Sequence, residues 1–201
     1  MNRVIHRILF LALLATLAVP ASAKKNDPNV QLDFRPQQAV AAAQADITPD
    51  MLRRPVAVRV EDARPGDDAA AIGTRTDDDD RKHTLKALNE VEAYVSAVVG
   101  DVVNQWGIQT DDGAGLVLEI HLVQFHVEEA NQAVGATFNA SVRLAAELTA
   151  GGDWSGGSTG DATRYGKKFS NDNVNEVLSD ALLEALAALL SDRSLHAAWE
   201  E

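Results

Sequence analysis

The residues of this 201-residue chain that could do chemistry fall into four short groups. Glu119 and His121 stand two apart in a run of alternating apolar residues, with His126 five further on, a spacing from which an acid/base pair or part of a metal site could be built. Asp77 to Asp80 is a run of four carboxylates, the residue type that hard cations such as calcium select. Gly156-Gly157-Ser158-Thr159-Gly160 has the composition of a phosphate-binding loop. Arg164, Tyr165, Lys167 and Lys168 are a basic cluster on an acidic chain, a docking strip for an acidic or extended partner.

Each group has a plainer explanation, and spacing favours it. Consecutive aspartates do not converge on one ion, and the spaced Asp-x-Asp-x-Asp-Gly calcium loop is absent; before a helix such a run complements the helix dipole. On a regular strand His121 and His126 fall on opposite faces unless a bulge intervenes, and Glu119 with His121 is what any polar sheet face carries. The glycine string lacks the lysine and the following helix that hold a phosphate. Lysines beside an exposed strand also discourage unwanted pairing. These considerations leave no catalytic, cofactor-binding or metal-binding residue assigned, no cofactor implied, and Arg164, Tyr165, Lys167 and Lys168 as the one candidate surface.

The elements that must position these groups follow from hydrophobic spacing. Residues 1–23 have the three parts of a secretory signal: Arg3 and Arg7, an apolar run from Ile8 to Val19, and Ala21-Ser22-Ala23, with cleavage expected before Lys24. The run of 12 residues is shorter than the roughly 20 needed to span a bilayer. Loss of Arg3 and Arg7 with the signal takes the formal charge from −12 to −14, which disfavours nucleic acid and anionic lipid surfaces. The chain has no cysteine, which excludes disulfides, thiol catalysis and thioether lipidation.

Residues 24–54 read as a tether lying on the domain, with Val30 to Phe34 able to pair as an edge strand. Residues 55–201 read as one α+β domain. Val56, Val58 and Val60 alternate as a strand, and a turn at Arg64-Pro65-Gly66-Asp67 returns the chain through Ala70 to Thr74 as a loose hairpin. Leu85, Leu88, Val91, Val95, Val98, Val99, Val102 and Trp106 give a helix from about Lys82 to Trp106, stopped by Gly107. A strand from Leu116 with a bulge near Val123 or Gln124, a strand over Phe138 to Leu148, and a glycine-weakened edge strand in 154–169 follow. Asn173 with Glu176 has the form of a capping box for a second long helix, and Ser194 caps a last short one. The resulting order is strand, strand, helix, three strands, helix: a two-layer sandwich with a mainly antiparallel sheet and both long helices on one face.

That order and several local strings resemble the YajG-type family of bacterial envelope lipoproteins. The strings are Val58-Arg59-Val60 with Asp62-Ala63-Arg64, Ile72-Gly73-Thr74-Arg75, Trp106-Gly107, Leu116 to Val127, Arg164-Tyr165, and Asn171 to Leu190 followed by Ser194-Leu195-His196. The resemblance covers most of residues 30–201. It implies a periplasm-facing α+β domain at the outer membrane with no established enzymatic role. The family's lipid is carried on a cysteine after the signal, where this chain has Ala23-Lys24. A free periplasmic form is the expectation, with association at the outer membrane as the alternative.

The function so read is a non-enzymatic accessory or binding module of the cell envelope, with an envelope protein or a second copy as partner and no transmembrane segment after cleavage. Two alternatives stay open: a binder of peptidoglycan or other glycan, with Trp154 as a stacking platform in a chain of 5% aromatic content, and a hydrolase using the polar sheet face around Glu119 and His121.

Overall fold

The computed structural model describes residues 28–43, 45–66, 68–77, 79–132, 134–149 and 153–201, so the expected signal and its cleavage site lie outside the described residues. In chain order the elements are β1 (Asn29–Val30), a single 3-10 turn at Val40–Ala43, α1 (Pro49–Arg53), β2 (Val56–Asp62), β3 (Ala71–Thr76), β4 (Lys82–Ala87), α2 (Val91–Gln105), β5 (Leu116–Asn131), β6 (Ala136–Thr149), β7 (Trp154–Gly166), α3 (Asn171–Leu190) and α4 (Arg193–Glu200).

The meander β5-β6-β7 is the frame. Leu116, Leu118, Ile120 and Leu122 point inward from β5 and are almost wholly buried, as strict alternation demands of a strand with one covered face. The expected bulge lies between Leu122 and Gln124, after which Phe125 and Val127 point inward instead. One inserted residue reverses the parity of everything beyond it. His121 and His126 therefore share the open face, opposite Ala145 and Ser141 of β6.

The sheet has seven strands in the order β1-β4-β3-β5-β6-β7, and β2 joins it on β5. Its long ladders are antiparallel, while β1 on β4, β2 on β5 and β3 on β5 are parallel. The loose hairpin expected of residues 56–74 does not form. Both strands lie instead on the same edge of β5, β2 along Leu116 to Leu122 and β3 along Val127 to Glu129. The connection between them is organised by Arg64, whose guanidinium binds Asp62 at 2.7 Å and donates to the carbonyls of Ala69 and Ala71. A hairpin would have left β5 with an unpaired edge in the middle of the sheet; parallel addition satisfies it.

The helix expected from Lys82 begins only at Val91. Lys82–Ala87 is β4, hairpinned onto β3 through a turn at Asp77 to Arg81 in which Asp80 takes a left-handed φ of 60°. Leu85 and Leu88 fit a helical stripe by coincidence: Leu85 is buried from the strand, whereas Leu88 is 61% exposed. At the far end of α2 the expected stop is present. Gly107 has φ 89°, its N–H donates to the Asn104 carbonyl, and the N–H of buried Ile108 donates to the Val103 carbonyl, the doubly bonded glycine cap. Two other caps differ from expectation. Ser170, not Asn173, accepts at the start of α3, and Asp192, not Ser194, at the start of α4. In each case the residue just outside the helix has the extended backbone that aims its oxygen at the free N–H groups.

Both long helices cover the same side of the sheet. Tyr94 of α2 meets Phe125 of β5 edge to face, with ring centroids 6.1 Å apart, and bonds Ser179 of α3. Burial pushes the Tyr94 hydroxyl up to about 12. α3 lies close on β7 because Gly160 has no side chain: a Cβ there would sit 2.1 Å from the Ala181 carbonyl oxygen.

The segment before β2 runs as a strap along α3, where polar side chains of the helix receive its backbone. Asn175 Oδ1 accepts from Asp33 N–H, Ser179 Oγ from Arg35, Asp180 from Gln37 and Ser191 Oγ from Asp46. This explains why Asn175 and Ser179 are polar yet buried. Among the described residues no helix is long and apolar enough to cross a membrane.

Candidate functional site

On the open face of the sheet, the ionisable side chains of the β2–β5 seam are paired sideways, strand to strand. The parallel register of β2 on β5 sets Arg59 beside Glu119 and Glu61 beside His121. Arg59 Nη1 lies 3.4 Å from Glu119 Oε1, and His121 Nδ1 lies 3.3 Å from Glu61 Oε2. Glu119 and His121 are thus engaged with separate partners on β2, on an exposed surface where such pairs contribute little. The sequence identifies β2 as a strand but not its neighbour, and Arg59 and Glu61 meet Glu119 and His121 only through the parallel register of β2 on β5.

Where β2 ends and β3 begins, the open face dips into a cleft of about 780 Å³. One wall is the connection between the two strands, with Pro65, Ala69 and Ala71; the other is the bulged part of β5 with Val123, Gln124 and His126. Thr74, Thr84 and Arg143 complete it. The carboxylates of its described lining are both bound: Asp62 to Arg64, and Asp68 to Lys86 at 2.7 Å. The Arg64 guanidinium holds the Asp62 carboxyl below the usual carboxylate range, and Lys86 does the same for Asp68.

The acidic run turns out to be the β3–β4 turn rather than a helix entry. Asp77 is nearly buried, and its Oδ1 accepts from the N–H groups of Asp79 and Arg81, while Oδ2 meets His83 Nε2 at 2.9 Å. His83 and the turn amides depress the Asp77 pKa strongly. His83 carried no signal in the sequence because its position read as helix. Among the described residues no group of three or more His, Asp or Glu side chains could hold a metal ion; Asp78 lies outside them.

Gly156 to Gly160 lies within β7 and not in a loop, so its glycines serve packing. The basic cluster is divided by the pleat. Arg164 turns to the helix side, where its Nε donates to Asn173 and its Nη1 pairs with Glu176 of α3. Tyr165 stands on the other face, 53% exposed, with its hydroxyl donating to the Val134 carbonyl. Lys167 and Lys168 follow the strand and rim a polar hollow of about 480 Å³ with Asp77, Glu129 and Asn131. At its base Glu129, 2% exposed, is held by Arg75 at 2.9 Å, and Arg75 lies 4.5 Å over the Phe169 ring. Trp154 is no stacking platform: it is 9% exposed and its indole N–H donates to Ser194 Oγ. Trp106 and Trp199 are buried as well.

No curated protein matches the chain. Its fold is similar to the crystal structure of protein XCC0632 from Xanthomonas campestris, of family DUF330, with a TM-score of 0.50 and 11% identity over 82% of this chain and 91% of that one. A match over residues 33–199 to the model of the uncharacterized lipoproteins called Lipoprotein_16 bears out the resemblance to the YajG-type lipoproteins carried by strings such as Trp106-Gly107 and Leu116 to Val127, and the chain belongs to that family.

Proposed function

We propose that the protein is a non-enzymatic accessory or binding module of the bacterial cell envelope, acting in the periplasm beside the outer membrane. The observation that carries this reading is the arrangement of the open face: Glu119 pairs with Arg59 and His121 with Glu61, and none of the four lines the cleft. An acid/base catalyst needs its groups free to reach a substrate in a site that excludes water. Membership of a lipoprotein family supports the envelope location, and the burial of all three tryptophans makes a glycan binder the weaker alternative.

Lys167 and Lys168 are the exposed part of the basic strip and the place where an acidic envelope partner, or a second copy, docks. A photo-crosslinking residue at Lys167 in intact cells is expected to give a discrete adduct in the envelope fraction that is lost when Lys168 is changed to Glu. An adduct pattern unaffected by that change removes the strip from the proposal.

A further inference from the structure

We propose that the cleft between β2, β3 and the bulge of β5 is a binding site for an organic anion, a molecule with one acidic group and an apolar body. The inference rests on reading the protein as a binder, but not on the lysine strip, which lies at the far end of β7.

Charge is the first argument. Arg35, Arg59, Arg64, Arg75, Arg81 and Arg164 are each bound to a carboxylate. Arg143 is paired with none among the described residues. Its neighbours across the ladders are Gln124 on β5 and Thr159 on β7, and along β6 the open face carries Ser141 and Ala145. These are small or neutral groups that leave the guanidinium available. The carboxylates Asp62 and Asp68 of the described lining are already neutralised by Arg64 and Lys86. The described part of the cleft thus holds one uncompensated cation on a chain of net charge −12. A planar guanidinium with five fixed donors suits a carboxylate or a phosphate monoester, and Gln124, His126, Thr74 and Thr84 add hydrogen-bonding groups around it.

Size and lining decide what kind of anion. A volume of about 780 Å³ is that of a small-molecule site and far larger than an inorganic ion fills. Pro65, Ala69, Ala71 and Val123 supply apolar surface on two sides of it. The bulge is what makes the space. It separates the end of the β2 ladder at Leu122 from the start of the β3 ladder at Val127, and places Gln124 and His126 on the open side together.

The test is displacement of 1-anilinonaphthalene-8-sulfonate from the folded chain, followed by fluorescence below the micelle concentration of every competitor. Octanoate and octyl phosphate are expected to displace the probe, and whichever is stronger tells a carboxylate source from a phosphate headgroup. Octyl glucoside, with the same tail and no charge, and inorganic phosphate, with the charge and no tail, should each need about tenfold more, the worth of one hydrogen bond to a charged group. Arg143→Gln should weaken octanoate about tenfold and Arg143→Lys by less, whereas Arg193→Gln, the same charge removed from α4, should leave it unchanged. Amide resonance shifts on adding octanoate should centre on residues 123–126 and 143. The proposal is overturned if octyl glucoside or phosphate competes as well as octanoate, if Arg143→Gln binds normally, if the shifts lie elsewhere, or if the probe does not bind. None of these results touches the crosslinks expected at Lys167.

Discussion

Replacing Gly160 by alanine tests the closest contact in the fold. A Cβ at this position would stand 2.1 Å from the Ala181 carbonyl oxygen, 2.4 Å from the Ala185 nitrogen and 3.0 Å from Glu184 Cβ. The first two belong to helix backbone and have no rotamer to change. An ordinary contact begins near 3.4 Å, so α3 must withdraw from β7 by roughly 1.3 Å, the difference from 2.1 Å. That movement loosens Ala181, Leu182 and Ala185, all buried against the sheet. Overpacking a well-filled core costs about 1–3 kcal/mol, and a backbone-limited site belongs at the upper end. For a chain of this length about 3 kcal/mol lowers the melting temperature by about 6–12 °C. Gly100 of α2 is the control, because a Cβ there meets nothing within 4 Å. In a helix interior Gly100→Ala should stabilise by about 0.4–1 kcal/mol, raising the melting temperature by about 1–4 °C. Far-ultraviolet circular dichroism on heating and in urea reads both. If Gly160→Ala melts within about 2 °C of the wild type, or both variants shift the same way, the argument for close helix approach is wrong.

Two further outcomes follow from the strap and the acidic turn. Ser179→Ala leaves the Arg35 N–H without its acceptor beside a fully buried site, which should cost about 1–3 kcal/mol and speed proteolytic cleavage within residues 31–47 ahead of global unfolding. Asp77, whose pKa is held below its ordinary 3.8 by His83 and the turn amides, contributes stability that is complete above that value and is lost as pH falls through the lower folded value. Asp77→Asn should therefore be less stable than the wild type at neutral pH, and the gap in urea midpoint should close on acidification below about pH 4.

Much of this fold is legible in residue spacing, and the failures have a common cause. β5, β6, α3 and the Gly107 stop are long or chemically specific, so local periodicity identifies them, and even the bulge shows as the shift from Leu122 to Phe125. β4 is short. Its alternation of Leu85 and Ala87 with Thr84 and Lys86 covers too few residues to outweigh a helical stripe continuing from α2. The hairpin expected of β2 and β3 failed for another reason. Val56, Val58 and Val60 specify a half-buried strand equally well whichever neighbour it has, and the true neighbour, β5, begins 54 residues after β2 ends. The cleft inherits that illegibility: Arg143 and His126 stand on the legible β5-β6 meander, but Thr74 reaches them only through the non-local parallel pairing of β3 on β5. Arg164 and Tyr165 are neighbours in sequence only, because strand alternation sends consecutive residues to opposite faces.

The strap carries a consequence for the order in which the molecule comes together. Four of its backbone N–H groups, those of Asp33, Arg35, Gln37 and Asp46, bind side chains of Asn175, Ser179, Asp180 and Ser191, so more than a hundred residues separate each of these donors from its acceptor. Closing so long a loop is slow and yields nothing until the far helix exists. A chain made from its N-terminus can therefore seat Val30 and Leu32 on β4 and Asn89 early, but the stretch from Asp33 to Gln37 gains its helix contacts only once nearly all the remainder has been delivered.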